Sequence, residues 1–236
     1  MDLKEERLIG DPSEHWYYRA KLAALRSAIA ALPPGPVLDV GAGSGFFARK
    51  LLEGGEATVA TCVDPGYAAD SEMQVNGRPL QFRRRVDRDG ATLVLMMDVL
   101  EHVADDAALL AEYVARMRSG ARLLVTTPAF QALWSGHDVF LGHHRRYTLA
   151  QVEGLLRGAG LRIELGCYFY APLLPLAAAV RLGDRLCCDP RTPRSHMHRV
   201  GWLANAALGS VCRAELAVFK ANRVGGLSVF GLAVKP

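Results

Sequence analysis

Three glycines fall within residues 41–45, directly after a short apolar segment at 36–40. The apolar segment predicts a buried strand, and apolar residues at helical spacing resume at Phe46. Glycine adopts backbone angles that other residues avoid, and it lets a ligand approach the main chain closely. A strand, a glycine turn and a helix in this order predict an α/β fold with a ligand-binding turn at the end of the strand.

The same alternation of strands and helices continues along the chain, and half of the residues are hydrophobic, as in an ordinary globular protein. Further strands are predicted at 58–63, 91–97, 122–127, 161–165 and 227–234, and helices at 14–32, 105–117 and 148–158. Alternation of this kind indicates a mostly parallel sheet with helices on both faces, whose ligands bind at the carboxyl ends of the strands.

The spacing of the glycines, together with an acidic residue later in the chain, limits the classes of ligand that the turn can bind. The turn reads GxGxG, with Phe46 where the GxGxxG turn of dinucleotide-binding proteins has its third glycine, which disfavours an NAD-dependent oxidoreductase. Asp64 ends the second predicted strand about 20 residues after the turn, and its two oxygens can accept hydrogen bonds from both ribose hydroxyls. The predicted strand 91–97 leads into residues 98–103, which come after the glycine turn and Asp64 along the chain.

These segments together, with the late strand 227–234, resemble the class I S-adenosylmethionine-dependent methyltransferases. The resemblance implies a Rossmann-like, doubly wound, mostly parallel seven-stranded sheet and S-adenosylmethionine as cofactor. It implies that the turn contacts the methionine part, that the acid after the second strand holds the ribose, and that the segment after the fourth strand flanks the cofactor. The cofactor-binding residues so predicted are Arg19, Asp39, Gly41, Ala42, Gly43, Gly45, Asp64, Asp98, Val99 and His102.

On this resemblance, residues 1–236 form one methyltransferase domain. Its predicted parts are a cap helix within 1–35, a substrate-side loop at 128–147 and an insertion at 166–223 before the last strand. Two assignments stay open. Asp87 is the one candidate for the acid that contacts the adenine amine, and His102 could equally satisfy a backbone group at the start of a helix.

The segment 128–147 concentrates titratable and aromatic groups beside the carboxyl ends of the strands, where loops commonly carry the substrate. We expect His137, Asp138 and His143 to supply acid–base chemistry, since the pKa of histidine lies near ~6.5. Arg146 and Tyr147 are expected to hold the acceptor. The alternative is that 143–147 merely leads into a helix that Thr148 caps.

No metal is predicted. Magnesium prefers oxygen ligands, and the loop offers one carboxylate among histidines. Cys187 and Cys188, followed by His196 and His198, lack the paired spacing of a structural zinc site. The odd number of cysteines and the absence of a recognisable secretory signal fit a reducing cytoplasm.

The acceptor is the least constrained part of the prediction. An apolar run within 166–183, interrupted by Pro172 and Pro175, is too short for the ~20 residues of a membrane span. It indicates either a partly apolar acceptor with peripheral membrane contact or burial as ordinary core. The segment 128–147 resembles a subset of bacterial methyltransferases, which implies a small-molecule, lipid-like, isoprenoid or sugar-conjugate acceptor. No segment typical of base flipping is found, so no nucleic-acid partner is expected. The alternative function is a non-catalytic module that binds the cofactor and uses 128–147 for a partner; the oligomeric state stays open.

Overall fold

The computed structural model describes residues 8–86, 90–187, 192–195 and 200–236, with the side chains of 185–187 excepted. The strands within these residues are β1 Gly35–Val40, β2 Ala57–Val63, β3 Ser71–Val75, β4 Arg78–Arg83, β5 Leu93–Met97, β6 Arg122–Pro128, β7 Arg162–Phe169 and β8 Ser228–Val234. The α-helices are α1 Trp16–Ile29, α2 Phe46–Gly54, α3 Asp106–Arg116, α4 Gly136–Leu141, α5 Leu149–Gly158, α6 Leu174–Cys187 and α7 Trp202–Glu215.

All eight strands belong to one sheet in the order β3-β4-β2-β1-β5-β6-β8-β7. Neighbouring strands from β4 to β6 run parallel, whereas β8 is antiparallel to both β6 and β7. The chain winds outward in both directions from the junction of β1 and β5, which is the topological switch point where such sheets bind ligands. The predicted fold class is confirmed, with eight strands where seven were expected.

The additional strand, β3, forms a hairpin with β4 at one edge of the sheet. Asn76 and Gly77 connect the two strands, and both have positive φ angles, 49° and 74°. Asn-Gly is the turn pair that most favours a two-residue hairpin, because both positions of that turn require positive φ. The sequence therefore carries a signal for this hairpin that its apolar runs alone do not reveal.

The two faces of the sheet carry separate apolar cores. One core packs α1 and α2 against the sheet through residues such as Leu25 and Leu51, and it also contains Phe169 and Phe230. The other packs α3 and α5 through residues such as Leu110 and Val152. Helices thus cover both faces, as predicted.

The predicted insertion at 166–223 begins inside the sheet, because β7 continues to Phe169. Two helices, α6 and α7, come after this strand, and α7 packs against α1. The main-chain amide of Trp16 donates to Oδ1 of Asn205 over 2.8 Å at this contact. Within the described residues, no helix combines the length and the apolar character needed to cross a bilayer.

Asp39 of β1 generates a prediction about pH. Its side chain is 1% exposed, and burial raises its pKa to about 7 from an ordinary value near 4. Between those two values the unfolded chain releases this proton and the folded chain retains it, so stability falls as pH rises through that window, by about 1.4 kcal/mol per unit of pKa difference.

We expect Asp39→Asn to flatten this dependence, so that the variant loses less stability than the parent protein between pH ~4 and ~7. Urea unfolding of both proteins without cofactor measures the difference. Asp70→Asn, at an exposed position after β2, is the matched control. If the free energy of unfolding depended on pH in the same way for Asp39→Asn and the parent protein, the prediction would be wrong.

Candidate functional site

The glycine turn after β1 depends on glycine for two reasons. Gly41 and Gly45 have φ angles of 63° and 74°, which side chains disfavour. A Cβ atom on Gly41 would lie 2.9 Å from a methyl group of Val99, and one on Gly45 would lie 2.9 Å from the ring of Phe82. The turn is also tied to β2, because the amide of Gly41 donates to the carbonyl of Val63 over 2.7 Å.

The carboxylate of Asp64 lies directly against this turn. One oxygen accepts from the amide of Gly43 at 3.2 Å, and the other accepts from the amide of Gly66 at 2.8 Å. The hydroxyl of Tyr67 donates to the carbonyl of Gly43 over 2.8 Å and fixes the same turn from outside. Each carboxylate oxygen can accept a further hydrogen bond, so the side chain is held in place and still has capacity for a ligand.

A cavity of about 670 Å³ opens beyond the carboxyl ends of β1, β2 and β5, a volume that suits a ligand of nucleoside size. Five of the predicted cofactor residues line it: Gly41, Asp64, Asp98, Val99 and His102. Arg84 and Arg85, which follow β4, line it as well. Asp87, the candidate for the adenine amine, lies outside the described residues.

Helix α1 contributes a cation to the site that was not predicted. Arg19 is exposed on this helix, whereas Lys21 is fully buried and forms an ion pair with Asp98. The Lys21 ammonium also donates to the hydroxyl of Tyr17 over 2.7 Å. Two residues along a helix point to nearly opposite sides, so Arg19 does not share the position of Lys21. Lys21 is an additional cation of the site, and the assignment of Arg19 to the cofactor stays a prediction.

Both the backbone and the side chain of Asp98 make contacts that fix its position. Its φ angle is 54°, a strained value for a residue other than glycine, and its amide donates to the carbonyl of Thr126 over 3.0 Å. Burial disfavours its charge, but the pairing with Lys21 outweighs this effect and lowers its pKa. Burial likewise opposes the charge of Lys21, yet Asp98 and Tyr17 raise the pKa of that amine. The pair is therefore ionised at neutral pH.

A second charged centre lies in the segment 128–147. Asp138 is fully buried, and one of its oxygens lies 2.9 Å from Nδ1 of His143 and accepts from Nε of Arg146 at 2.7 Å. The other accepts from the amide of Ser135 at 2.9 Å. Burial opposes the charge of Asp138, but the contacts with His143 and Arg146 hold its pKa below the ordinary value. Of the two histidines expected to act with Asp138, His143 is therefore the one that contacts it in the structure. His137 is also buried, in the first turn of α4.

The second centre reaches the cavity through two histidines. The rings of His143 and His102 meet edge to face with centroids 4.6 Å apart, and His102 lines the cavity. Glu101 is fully buried beside them, and its two oxygens have no hydrogen-bond partner in the described part of the chain. Burial first, and then the charge of Asp98, raise the pKa of Glu101 well above its ordinary value. Sequence reasoning missed Glu101, although its place beside His102 after a buried strand was a signal.

Glu101, His102 and His143 also bring ligand atoms to within 4.8 Å of one another. Among the residues that the structure describes, this is the group with the right atoms to hold a metal ion. The expectation of no metal is not tested by this geometry.

Arg146 and Tyr147, the residues expected to hold the acceptor, have partners within the protein. Both are buried. Arg146 directs its guanidinium to Asp138 and to the carbonyl of Ala129, and the Tyr147 hydroxyl donates to Asp106 over 2.6 Å. Thr148 caps α5 through the amide of Gln151, as expected for a helix start. These residues therefore stabilise the segment that carries Asp138 and His143.

The comparisons with known proteins agree with this arrangement. The family model of a methyltransferase domain matches residues 14–165. The tRNA U34 carboxymethyltransferase of Dichelobacter nodosus (strain VCS1703A) is 29% identical over 145 aligned residues, covering 55% of this chain and 46% of that protein. The chain thus spans about half the length of this curated relative.

Solved structures share the fold at low sequence identity. A SAM-dependent methyltransferase from Archaeoglobus fulgidus has a TM-score of 0.56 at 16% identity, over 99% of this chain and 98% of that chain. Phosphoethanolamine N-methyltransferase 2 from Haemonchus contortus, in complex with S-adenosyl-L-methionine, has a TM-score of 0.55 at 17% identity, over 92% of this chain and 52% of that one.

The position of Asp64 generates a prediction about cofactor binding. We expect Asp64→Asn to weaken S-adenosylmethionine binding about tenfold or more, because hydrogen bonds to a charged acceptor contribute roughly 1.5–3 kcal/mol. Titration calorimetry measures the affinity. Asp70→Asn, an exposed change after the same strand, should leave it unchanged. Equal affinities for Asp64→Asn and the parent protein would remove Asp64 from the site.

Proposed function

The chain belongs to the class I S-adenosylmethionine-dependent methyltransferase family, and we propose that it methylates a hydroxyl or amine of a small or lipid-like acceptor, with His143 as the base. Its cofactor is S-adenosylmethionine, and the family assignment makes it an enzyme rather than a non-catalytic module. The observation that carries the proposal is the contact of His143 with His102, which joins the Asp138 centre to the cofactor cavity.

The residues around the cavity fit the cofactor. The positive φ angles of Gly41 and Gly43 form a tight turn at this edge of the sheet, and Asp64 holds a carboxylate beside it. We assign the ribose to Asp64 and the methionine part to the turn at Gly41 and Gly43. Lys21 positions Asp98 at the end of β5 through their ion pair. When bound, S-adenosylmethionine supplies the electrophilic methyl group.

The contribution of this chain is then to position the acceptor and to remove its proton. Methyl transfer is an in-line displacement, so much of the rate enhancement comes from holding the nucleophile in near-attack geometry. A hydroxyl or protonated amine must also lose a proton. His143 suits this step because its Nδ1 is held by Asp138, which orients the ring and leaves Nε2 for the acceptor.

Asp138 supports His143 in the proposed role by remaining ionised. Its low pKa keeps a negative charge next to the imidazole, and this charge stabilises the imidazolium that forms when the proton arrives. Arg146 holds Asp138 from the opposite side and fixes its orientation. Asp138 and Arg146 are therefore positioning residues. His137 remains a second candidate for the base.

A tRNA nucleoside is the second candidate acceptor, because the relative from Dichelobacter nodosus is a tRNA U34 carboxymethyltransferase. Arg84 and Arg85 at the rim of the cavity would suit a phosphate backbone. We favour the lipid-like acceptor because the exposed surface beside the substrate-side segment is apolar. Methylation assays with a total lipid extract and with purified total tRNA discriminate between the two.

The proposed base predicts a specific defect. We expect His143→Gln to bind S-adenosylmethionine with near-normal affinity while turnover falls by ~10²–10⁴, because only proton removal is lost. Formation of S-adenosylhomocysteine with the acceptor pool measures turnover, and calorimetry measures affinity. The adjacent His144→Gln is the matched control, since His144 is exposed and should retain turnover.

Normal turnover in His143→Gln would contradict the assignment, and His137→Ala would then be the next variant. A chelator is added in parallel assays, because Glu101, His102 and His143 could hold a metal ion. Loss of turnover on chelation, restored by a divalent ion, would show that His143 acts as a ligand rather than as a base.

A further inference from the structure

Helix α6 is rich in apolar side chains that the fold does not bury. Between residues 171 and 184 no side chain reaches full burial, although leucine, alanine and valine dominate this stretch. Leu176 is 62% exposed and Val180, one turn later, is 50% exposed. An amphipathic surface helix would normally bury its apolar stripe against the core. Helix α6 partly buries a face that includes Leu174 and Ala178, and it leaves the further apolar side chains of Leu176 and Val180 in solvent.

The start of α7 continues the pattern. Trp202 is 78% exposed and Leu203 is 65% exposed. Both α6 and α7 contact residues 171–173, and Glu215 in the last turn of α7 accepts from the amide of Ala171 over 2.8 Å. In the described part of the chain, every large hydrophobic side chain that is at least half exposed lies between 176 and 224. Single exposed hydrophobic residues are common, but a concentration of this kind marks an interaction site.

This surface adjoins the substrate-side segment. Arg181 of α6 donates from its guanidinium to the carbonyl of Leu133 over 2.9 Å. The amide of Arg194 donates to the carbonyl of Gly136 over 3.0 Å, next to the start of α4. Helix α4 carries Asp138, the partner of His143. An acceptor that reached the protein at α6 would therefore lie beside the proposed base.

The sequence between the two helices adds positive charge. Residues 181–199 contain five arginines and two aspartates, and they also contain two histidines. Basic residues next to exposed apolar and tryptophan side chains are the combination that binds the interface of an anionic lipid bilayer. A second protein chain would not by itself require this charge.

We propose that Leu176, Val180, Trp202 and Leu203 form a docking surface for an anionic membrane, from which a lipid-phase acceptor enters the site. The entry of a lipid-phase acceptor rests on the proposed function. Membrane binding itself is inferred from the exposed apolar side chains and the positive charge of the sequence beside them. The apolar side chains insert at the level of the head groups, and the net positive charge of the sequence 181–199 favours an anionic surface.

Vesicle flotation tests the docking surface without any enzymatic assay. The full chain should float with vesicles of phosphatidylcholine and phosphatidylglycerol at low salt. The fraction of protein that floats should fall about tenfold with vesicles of pure phosphatidylcholine, which carry no net charge, and also at high salt, which screens the electrostatic attraction. A protein that stays in the soluble fraction under all conditions would overturn the proposal.

A double variant, Leu176→Ser with Trp202→Ser, should reduce flotation about tenfold and leave the thermal midpoint unchanged, because both side chains are exposed. The matched control, Leu8→Ser with Met73→Ser, changes side chains that are 43% and 40% exposed elsewhere and should float like the parent. Equal flotation of the two double variants would overturn the assignment of the surface.

Light scattering tests whether a second copy of the chain, rather than a membrane, covers this surface. A concentration-dependent dimer that the Leu176 and Trp202 changes abolish, without vesicle binding by the parent, would assign the surface to a second copy of the chain and overturn the proposal. Calorimetry with S-adenosylmethionine and the turnover assay run alongside. Vesicle binding without turnover contradicts the proposed function alone, and turnover without vesicle binding contradicts the docking surface alone.

Discussion

The parallel direction of the central strands is the constraint on which the site depends. Because β1, β2, β4, β5 and β6 run the same way, the segments that come after them meet at one edge of the sheet. The glycine turn, Asp64, and the segments that carry Asp98 and His143 lie far apart in the chain but end up together there. None of these residues would form a site on an antiparallel sheet of the same length, where successive strand ends alternate between edges.

At this edge of the sheet several charged side chains are buried, and the buried charges are paired with groups of opposite charge. Asp98 has Lys21, and Asp138 has Arg146 and His143. Removal of one member of such a group leaves an uncompensated charge, which is strongly destabilising. These pairs therefore hold the surrounding segments in one arrangement. Glu101 and Asp39 are the exceptions, since burial raises the pKa of both carboxyls and favours their neutral form.

Features that depend on neighbours in the sequence could be predicted, and those that depend on packing could not. The glycine turn and Asp64 are recognisable from local spacing, and Asp138 and His143 are five residues apart within one segment. The pairing of Lys21 with Asp98 joins positions 77 apart and depends on how α1 rotates onto the sheet. The partners of Arg146 and Tyr147 within the protein could not be predicted either, because the same residue types serve to compensate buried charge and to bind ligands.

The position of β8 bears on the order of folding. This strand, Ser228–Val234, fills the space between β6 and β7 and pairs with both. Until it leaves the ribosome, β7 has no neighbour in the sheet and one edge of β6 is open. Unpaired strand edges promote association with other chains, and contacts between distant segments form slowly. Until β8 is added, the sheet therefore exposes strand edges of the kind that promote association with other chains.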